Sequence, residues 1–105
     1  MSGYNEGNII VHKSKLFAIR SINLYKFLCK EHAEYVISKQ LLRSGTSIGA
    51  NVKEAIRAQT LPDFITKMNV ALKEASESEY WIELLQETNF IDNSSAGSLL
   101  ADCVN

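Results

Sequence analysis

One proline interrupts the chain, Pro62, and it stands where a helix should begin. The run Thr60-Leu61-Pro62-Asp63 gives a threonine cap, a proline in the first turn, and an acid three residues after the cap. A threonine oxygen satisfies an N–H group that a helix start leaves unpaired, proline has no N–H to lose there, and an acid favours the positive end of the helix dipole. From that start a helical pattern continues to about Thr88 without a breaker. At about 100° per residue, Phe64, Ile65, Met68, Ala71, Leu72, Ala75, Ile82 and Leu85 fall on one face. Val70, Tyr80, Trp81 and Leu84 fall on the opposite face. A second apolar face fits either a contact between subunits or a cover supplied by the N-terminal segment or the last helix.

The same periodicity marks three more helices. Helix 1 is expected from about Ser14, as its cap, to Lys30, with Phe17, Leu24 and Leu28 on one stripe and Ala18, Ile22, Tyr25 and Cys29 on another. One stripe faces the bundle core, and the other needs a neighbour of its own. Helix 2 is expected over about Val36 to Ala58, with core positions Leu41, Gly45, Ile48, Val52 and Ala55. Glycines 45 and 49 cost about 1 kcal/mol each against alanine inside a helix. Either they permit close helix–helix approach, or they break the segment into two helices. Helix 4, capped by Asp92 or Ser94, is short and ends near Cys103, with Leu99, Leu100 and Val104 as its apolar residues. The expected fold is all-α: an antiparallel up-and-down four-helix bundle with a short fourth helix, formed by one domain over residues 1–105. Residues 1–13 are expected to form a loose N-terminal arm. A bundle with one short helix leaves part of its core uncovered.

Hydrophobic residues make up 46% of the 105, enough for a core without staples. The net charge of −1 gives no global field for nucleic acid, although a local basic stripe can still bind phosphate. Cys29 and Cys103 match no metal spacing and read as free thiols in a reducing compartment. The polar N-terminus has no signal-peptide pattern, and no apolar run suffices to span a membrane, so a cytoplasmic protein is expected. The two histidines, His12 and His32, complete no Glu-x-x-His pair, and Arg20 and Arg43 have no histidine a few residues later. Phosphate loops, nucleophile elbows and paired Cys/His zinc motifs are absent. No catalytic residues, no metal and no cofactor are expected, and the chain reads as non-enzymatic.

Two polar features remain. Ser47, Asn51 and Glu54 lie on helix 2, and Glu79 lies within the core face of helix 3. A carboxylate in an apolar stripe is costly unless paired, so these fit either a buried acid in a pocket or a structural network with Arg20, Lys67 or Asn51 as partner. Lys39, Arg43, Lys53 and Arg57 form a basic line on helix 2, opposite its core face. It fits a phosphate-binding ridge, a solvated face, or half of an intersubunit salt-bridge set opposite Glu74, Glu77, Glu83 and Glu87. No aromatic residues interleave it, so base stacking is not expected.

Several stretches carry a resemblance. Phe17-Ala18-x-Arg20 is followed by Leu24-Tyr25-x-x-Leu28, then Arg43-Ser44-x-Thr46-Ser47-Ile48-Gly49-Ala50-Asn51-Val52-x-Glu54-Ala55. Asp63-Phe64-Ile65-x-Lys67-Met68, Ala71-Leu72-Lys73-Glu74-Ala75 and Glu79-Tyr80-Trp81-Ile82-x-Leu84-Leu85 complete it. Over about residues 14 to 90 the chain resembles the bacterial four-helix-bundle proteins encoded in intervening sequences of 23S rRNA genes. It is also similar to the accessory proteins of diversity-generating retroelements, pentameric bundles that engage nucleic acid and a reverse transcriptase. The resemblance implies a ring of identical subunits, a homopentamer foremost, with no settled enzymatic activity. It makes Arg43, Ser47, Asn51 and Glu54 the motif's polar residues. The chain departs from the retroelement proteins in lacking their strong basic charge, and its helix 4 stops earlier than the family pattern. A homo-oligomeric scaffold or adaptor is therefore expected, with Ile22, Tyr25, Val70, Tyr80, Trp81 and Leu84 as contacts. The alternative is an RNA- or DNA-binding accessory protein that uses Lys39, Arg43, Lys53 and Arg57.

Overall fold

The computed structural model describes residues 2–104, with side chains over residues 9–103. Among these the secondary structure is entirely helical: α1 Ser2–His32, α2 Ile37–Ile56, α3 Leu61–Glu87 and α4 Asn93–Val104. α1 lies beside α2, α2 beside α3, α3 beside α4, and α4 beside α1, which closes a four-cornered bundle with α1 and α3 on a diagonal.

The helix ends show which local signals acted. Thr60 caps α3, its hydroxyl oxygen accepting from the Asp63 N–H at 3.2 Å. α3 closes through Asn89, at φ 67°, with the Phe90 N–H donating to the Leu85 carbonyl at 2.9 Å. Asp92 caps α4 by accepting from the Ser95 N–H at 2.7 Å. α2 starts on a device not foreseen in the sequence. The Glu34 carboxylate accepts from the N–H groups of Val36, Ile37 and Ser38 at 3.1, 2.9 and 2.7 Å. Burial pushes the Glu34 carboxyl up, but the N–H groups of Ile37, Ser38 and Val36 and the Ser38 hydroxyl outweigh it and hold it below its ordinary value.

The expected loose arm is corrected: residues 2–13 continue α1, and Met1 lies outside the described residues. Ser14 is buried within the helix and donates to the Val11 carbonyl at 3.1 Å instead of capping. Nothing between Asn8 and Ser14 breaks a helix, so a serine that is able to cap has no start to cap.

α2 is one unbroken helix through both glycines. A Cβ on Gly45 would stand 2.2 Å from the Ser21 hydroxyl oxygen and 2.9 Å from Ser21 Cβ, so the α1–α2 approach requires glycine there. A Cβ on Gly49 would meet Ser14 at 3.4 Å, close to ordinary contact. On the other side of α2, the buried hydroxyls of Ser44 and Ser78 hydrogen-bond at 2.8 Å across to α3. Small residues thus set both spacings of α2.

The core is concentrated where α4 is present. Leu28, Leu41, Ile82, Leu85, Ala96 and Leu99 are buried together. At the other end, the expected core residues Phe64, Ile65 and Leu72 are exposed, Leu72 at 63%. The reason is length: α4 has 12 residues, about 18 Å, against 27 residues, about 40 Å, for α3. The apolar role expected of Val104 falls outside the described side chains.

Gly45→Ala should destabilise the protein by about 1–3 kcal/mol through overpacking against Ser21. Gly49→Ala should be neutral or stabilise by up to about 1 kcal/mol. Urea denaturation of both variants measures the difference, and equal effects would refute the seam geometry.

Candidate functional site

Of the basic line on α2, Lys39, Lys53 and Arg57 are exposed, and Arg43 is already engaged. Its guanidinium donates to Glu74 Oε2 at 2.8 Å and to Glu77 Oε1, both on α3 of the same chain. The Trp81 indole N–H donates to the same Glu77 oxygen at 3.2 Å. The Arg43 hydrogen bond lowers the Glu77 carboxyl below its ordinary value, and Glu77 first, then Glu74, raises Arg43. A salt-bridge set between Arg43 and the acids of α3 thus exists within one subunit, where it fixes the register of α2 on α3.

The polar motif residues are not brought to one place. The Ser47 hydroxyl donates to the Arg43 carbonyl at 2.7 Å, and the Asn51 amide donates to the Ser47 carbonyl at 2.8 Å, both back into α2. Glu54 pairs with Lys67 of α3 at 2.9 Å. Glu79 belongs to the opposite flank of α3, where its charge acts on Cys103 of α4. Arg20, expected among the partners of these acids, instead grips α4, donating to Asp102 at 2.5 Å and to the Ser98 hydroxyl at 3.0 Å.

The cysteines behave as small hydrophobes. Cys103 is buried and donates to the Ala75 carbonyl at 3.1 Å, and burial pushes its thiol up to about 12. Cys29 is half-buried and donates to the Glu34 carbonyl at 3.7 Å. Among the described residues, no three of His, Cys, Asp and Glu gather closely enough to hold a metal ion.

The residues expected at the outer faces differ in exposure. Ile22, Val70 and Tyr80 are exposed, whereas Tyr25 and Leu84 are half-buried. Trp81, expected to be exposed, is half-buried and packs against the core cluster, its edge held by Glu77.

One concave feature has no counterpart among the expected site residues. It is a groove of about 220 Å³ just past the end of α4. Ile10, Lys13, Phe17, Ile48, Val52, Ala71, Leu72 and Ala75 line it together with Asp102 and Cys103 of α4. The available signal was the mismatch between a short α4 and the apolar run from Phe64 to Leu72.

Comparison with known proteins supplies the relationship. Residues 6–105 match the family model described as 23S rRNA-intervening sequence protein. A crystal structure from Bacteroides thetaiotaomicron VPI-5482, of a protein with unknown function from the S23 ribosomal protein family, is 54% identical. The match covers 93% of this chain and 88% of that one, with a TM-score of 0.92. A search of the curated proteins returned no match.

The Arg43 pair carries a pH signature. Glu77 titrates lower in the folded chain than unfolded, so its contribution is present above about pH 4.5 and is lost as the pH falls through its folded value. Arg43→Gln should cost roughly 0.5–1 kcal/mol at pH 7, shift Trp81 fluorescence, and flatten the loss of stability between about pH 5 and 3. Thermal melts across that range check it, and an acid profile identical to the wild type would contradict the pairing.

Proposed function

The chain belongs to the 23S rRNA-intervening sequence protein family, and on that premise we propose that it works as a homo-oligomeric helical scaffold or adaptor rather than as an enzyme. One observation carries the proposal: fifteen large apolar or tyrosine side chains are exposed among the described residues. Where such side chains are contiguous on a helix face, they ordinarily mark an interaction surface. Val70 and Tyr80 of α3 and Ile22 of α1, at 37%, 54% and 38%, lie outside the core-facing stripes of their helices. These are the assembly contacts of the proposed ring, with Tyr25 and Leu84 at their margins. A homopentamer, as the resemblance implies, is the favoured state.

Nucleic-acid binding is the secondary proposal, resting on the exposed Lys39, Lys53 and Arg57. It is weaker than the basic line suggested, because Glu74 and Glu77 neutralise Arg43 and the net charge is −1. No helix among the described residues is long and apolar enough to cross a membrane.

Light scattering tests the assembly. A mass near five times 11.7 kDa is expected at low and high salt, and Val70→Glu with Tyr80→Glu should give a folded, smaller species. Tyr80 is the better target than Trp81, whose replacement by a charge would also disrupt the core. A wild-type monomer, or a double variant of unchanged mass, would overturn the scaffold.

A further inference from the structure

Charge is sorted along this chain. Residues 9–30 of α1 hold five lysines and arginines and no acid, and residues 74–87 of α3 hold five glutamates and no cation. Part of each set is used inside the subunit: Arg20 pairs with Asp102 of α4, and Glu74 and Glu77 pair with Arg43 of α2. Much of the remainder stands on the outer faces. Lys26 and Lys30 each lie two residues, about 200° around the helix, from the fully buried Leu28. Glu83 and Glu87 stand in the same relation to Leu85, which is equally buried. All four are exposed and make no salt bridge among the described residues. α1 and α3 are diagonal, so the two faces point apart across a bundle 22 by 19 Å in section. One chain cannot bring them together, and two chains can.

The faces also agree in height. Gly45 packs on Ser21 of α1 and its neighbour Ser44 on Ser78 of α3, so Ser21 and Ser78 are level to within about 1.5 Å, one residue's rise. The rings of His32 and Phe90, 5.8 Å apart, keep the same register near the ends of both helices. α1 and α3 run in the same direction in an up-and-down bundle. Lys26 lies five residues beyond that level and so does Glu83; Lys30 lies nine beyond it and so does Glu87. Ile22 and Tyr80, 38% and 54% exposed, sit one and two residues beyond it.

We propose that the outer face of α1 docks on the outer face of α3 of a second copy of this chain. The two helices lie parallel and without axial shift, with Lys26 against Glu83, Lys30 against Glu87, and Ile22 on Tyr80. The inference rests on the self-assembly proposed above and gives it a direction: each contact uses two different faces, head to tail. An α1–α1 contact would set lysine against lysine, and an α3–α3 contact glutamate against glutamate. A head-to-tail assembly closes only if each copy adds no rise, and charges at equal height meet that condition; a step along the axis would wind the copies into a fibre and separate the pairs. Exposed ion pairs contribute little affinity, so the apolar side chains hold the contact and the charges select its face and height. The attraction is confined to this half of the faces, since Lys15 comes within one residue of the level of Lys73 in the other half.

Light scattering of the full chain over a dilution series measures the contact. Lys26→Glu with Lys30→Glu sets acid against acid and should raise the concentration at which the assembly dissociates at least roughly tenfold. Glu83→Lys with Glu87→Lys should do the same, and all four changes together should return it to within about threefold of the wild type. Circular dichroism checks that the variants fold. In a mixture of heavy-isotope-labelled and unlabelled wild type, a zero-length carbodiimide cross-linker should join Lys26 or Lys30 of one chain to Glu83 or Glu87 of another. An assembled wild type whose mass ignores both reversals, a quadruple variant no better than either double, or the absence of these cross-links would overturn the pairing and leave the scaffold standing. A monomeric wild type would remove both.

Discussion

The approach of α1 to α2 at Gly45 is the constraint on which the rest of the bundle depends. A side chain there would stand 2.2 Å from the Ser21 hydroxyl oxygen, so the spacing of the first helix pair is set by an absence. The other face of α2 repeats the solution with serines, Ser44 against Ser78 at 2.8 Å. Small groups on both sides make α2 the shared wall of the bundle. Its ion pairs with α3, Arg43 to Glu74 and Glu77 and Lys67 to Glu54, then fix register on a contact already closed by packing. Exposed pairs of this kind contribute about 1 kcal/mol or less each, so they orient the helices more than they hold them.

With α1, α2 and α3 placed, the fourth corner becomes a trough along the molecule, and α4 fills only the half nearest its own connection. Arg20 ties it to α1, and Cys103 meets the Ala75 carbonyl. Where α4 lies, Ile82, Leu85 and Leu99 are buried; where it does not, Phe64, Ile65 and Leu72 face outward although their periodicity is that of core residues. One short element thus divides the bundle into a closed, well-packed end and an open, apolar one. The open end carries the groove, and the outer faces of α1 and α3 carry the proposed assembly contacts.

Much of the fold was legible in the sequence because the signals were local. Thr60, Pro62 and Asp63 announced α3, Asp92 announced α4, and the stripe through Leu41, Val52 and Ala55 marked the core face of α2. Signals that depend on three dimensions were not legible. Ser14 has the chemistry of a cap and lies inside a helix, because what precedes it is helical too. Glu34 caps α2 from outside the usual set of residues and depends on Ala33 at φ 51° to turn the chain. Glu74 and Glu77 were offered as partners of the basic line across subunits, and only the placement of α3 shows that Arg43 takes them within its own chain. Trp81 sits on the face that periodicity sets opposite the core stripe, yet its ring packs onto the core. Ser47, Asn51 and Glu54 share a helix face, but each binds its own nearest partner rather than a common centre.

The division of the bundle into a closed and an open end is the central claim, and native-state hydrogen exchange on the isolated protein tests it most directly. The amides of α3 alongside α4, residues 75–87, should exchange only through global unfolding. Those of residues 65–71, which face the open half, should exchange through local opening with protection at least roughly tenfold lower. Uniform protection along the whole of α3 would contradict the account.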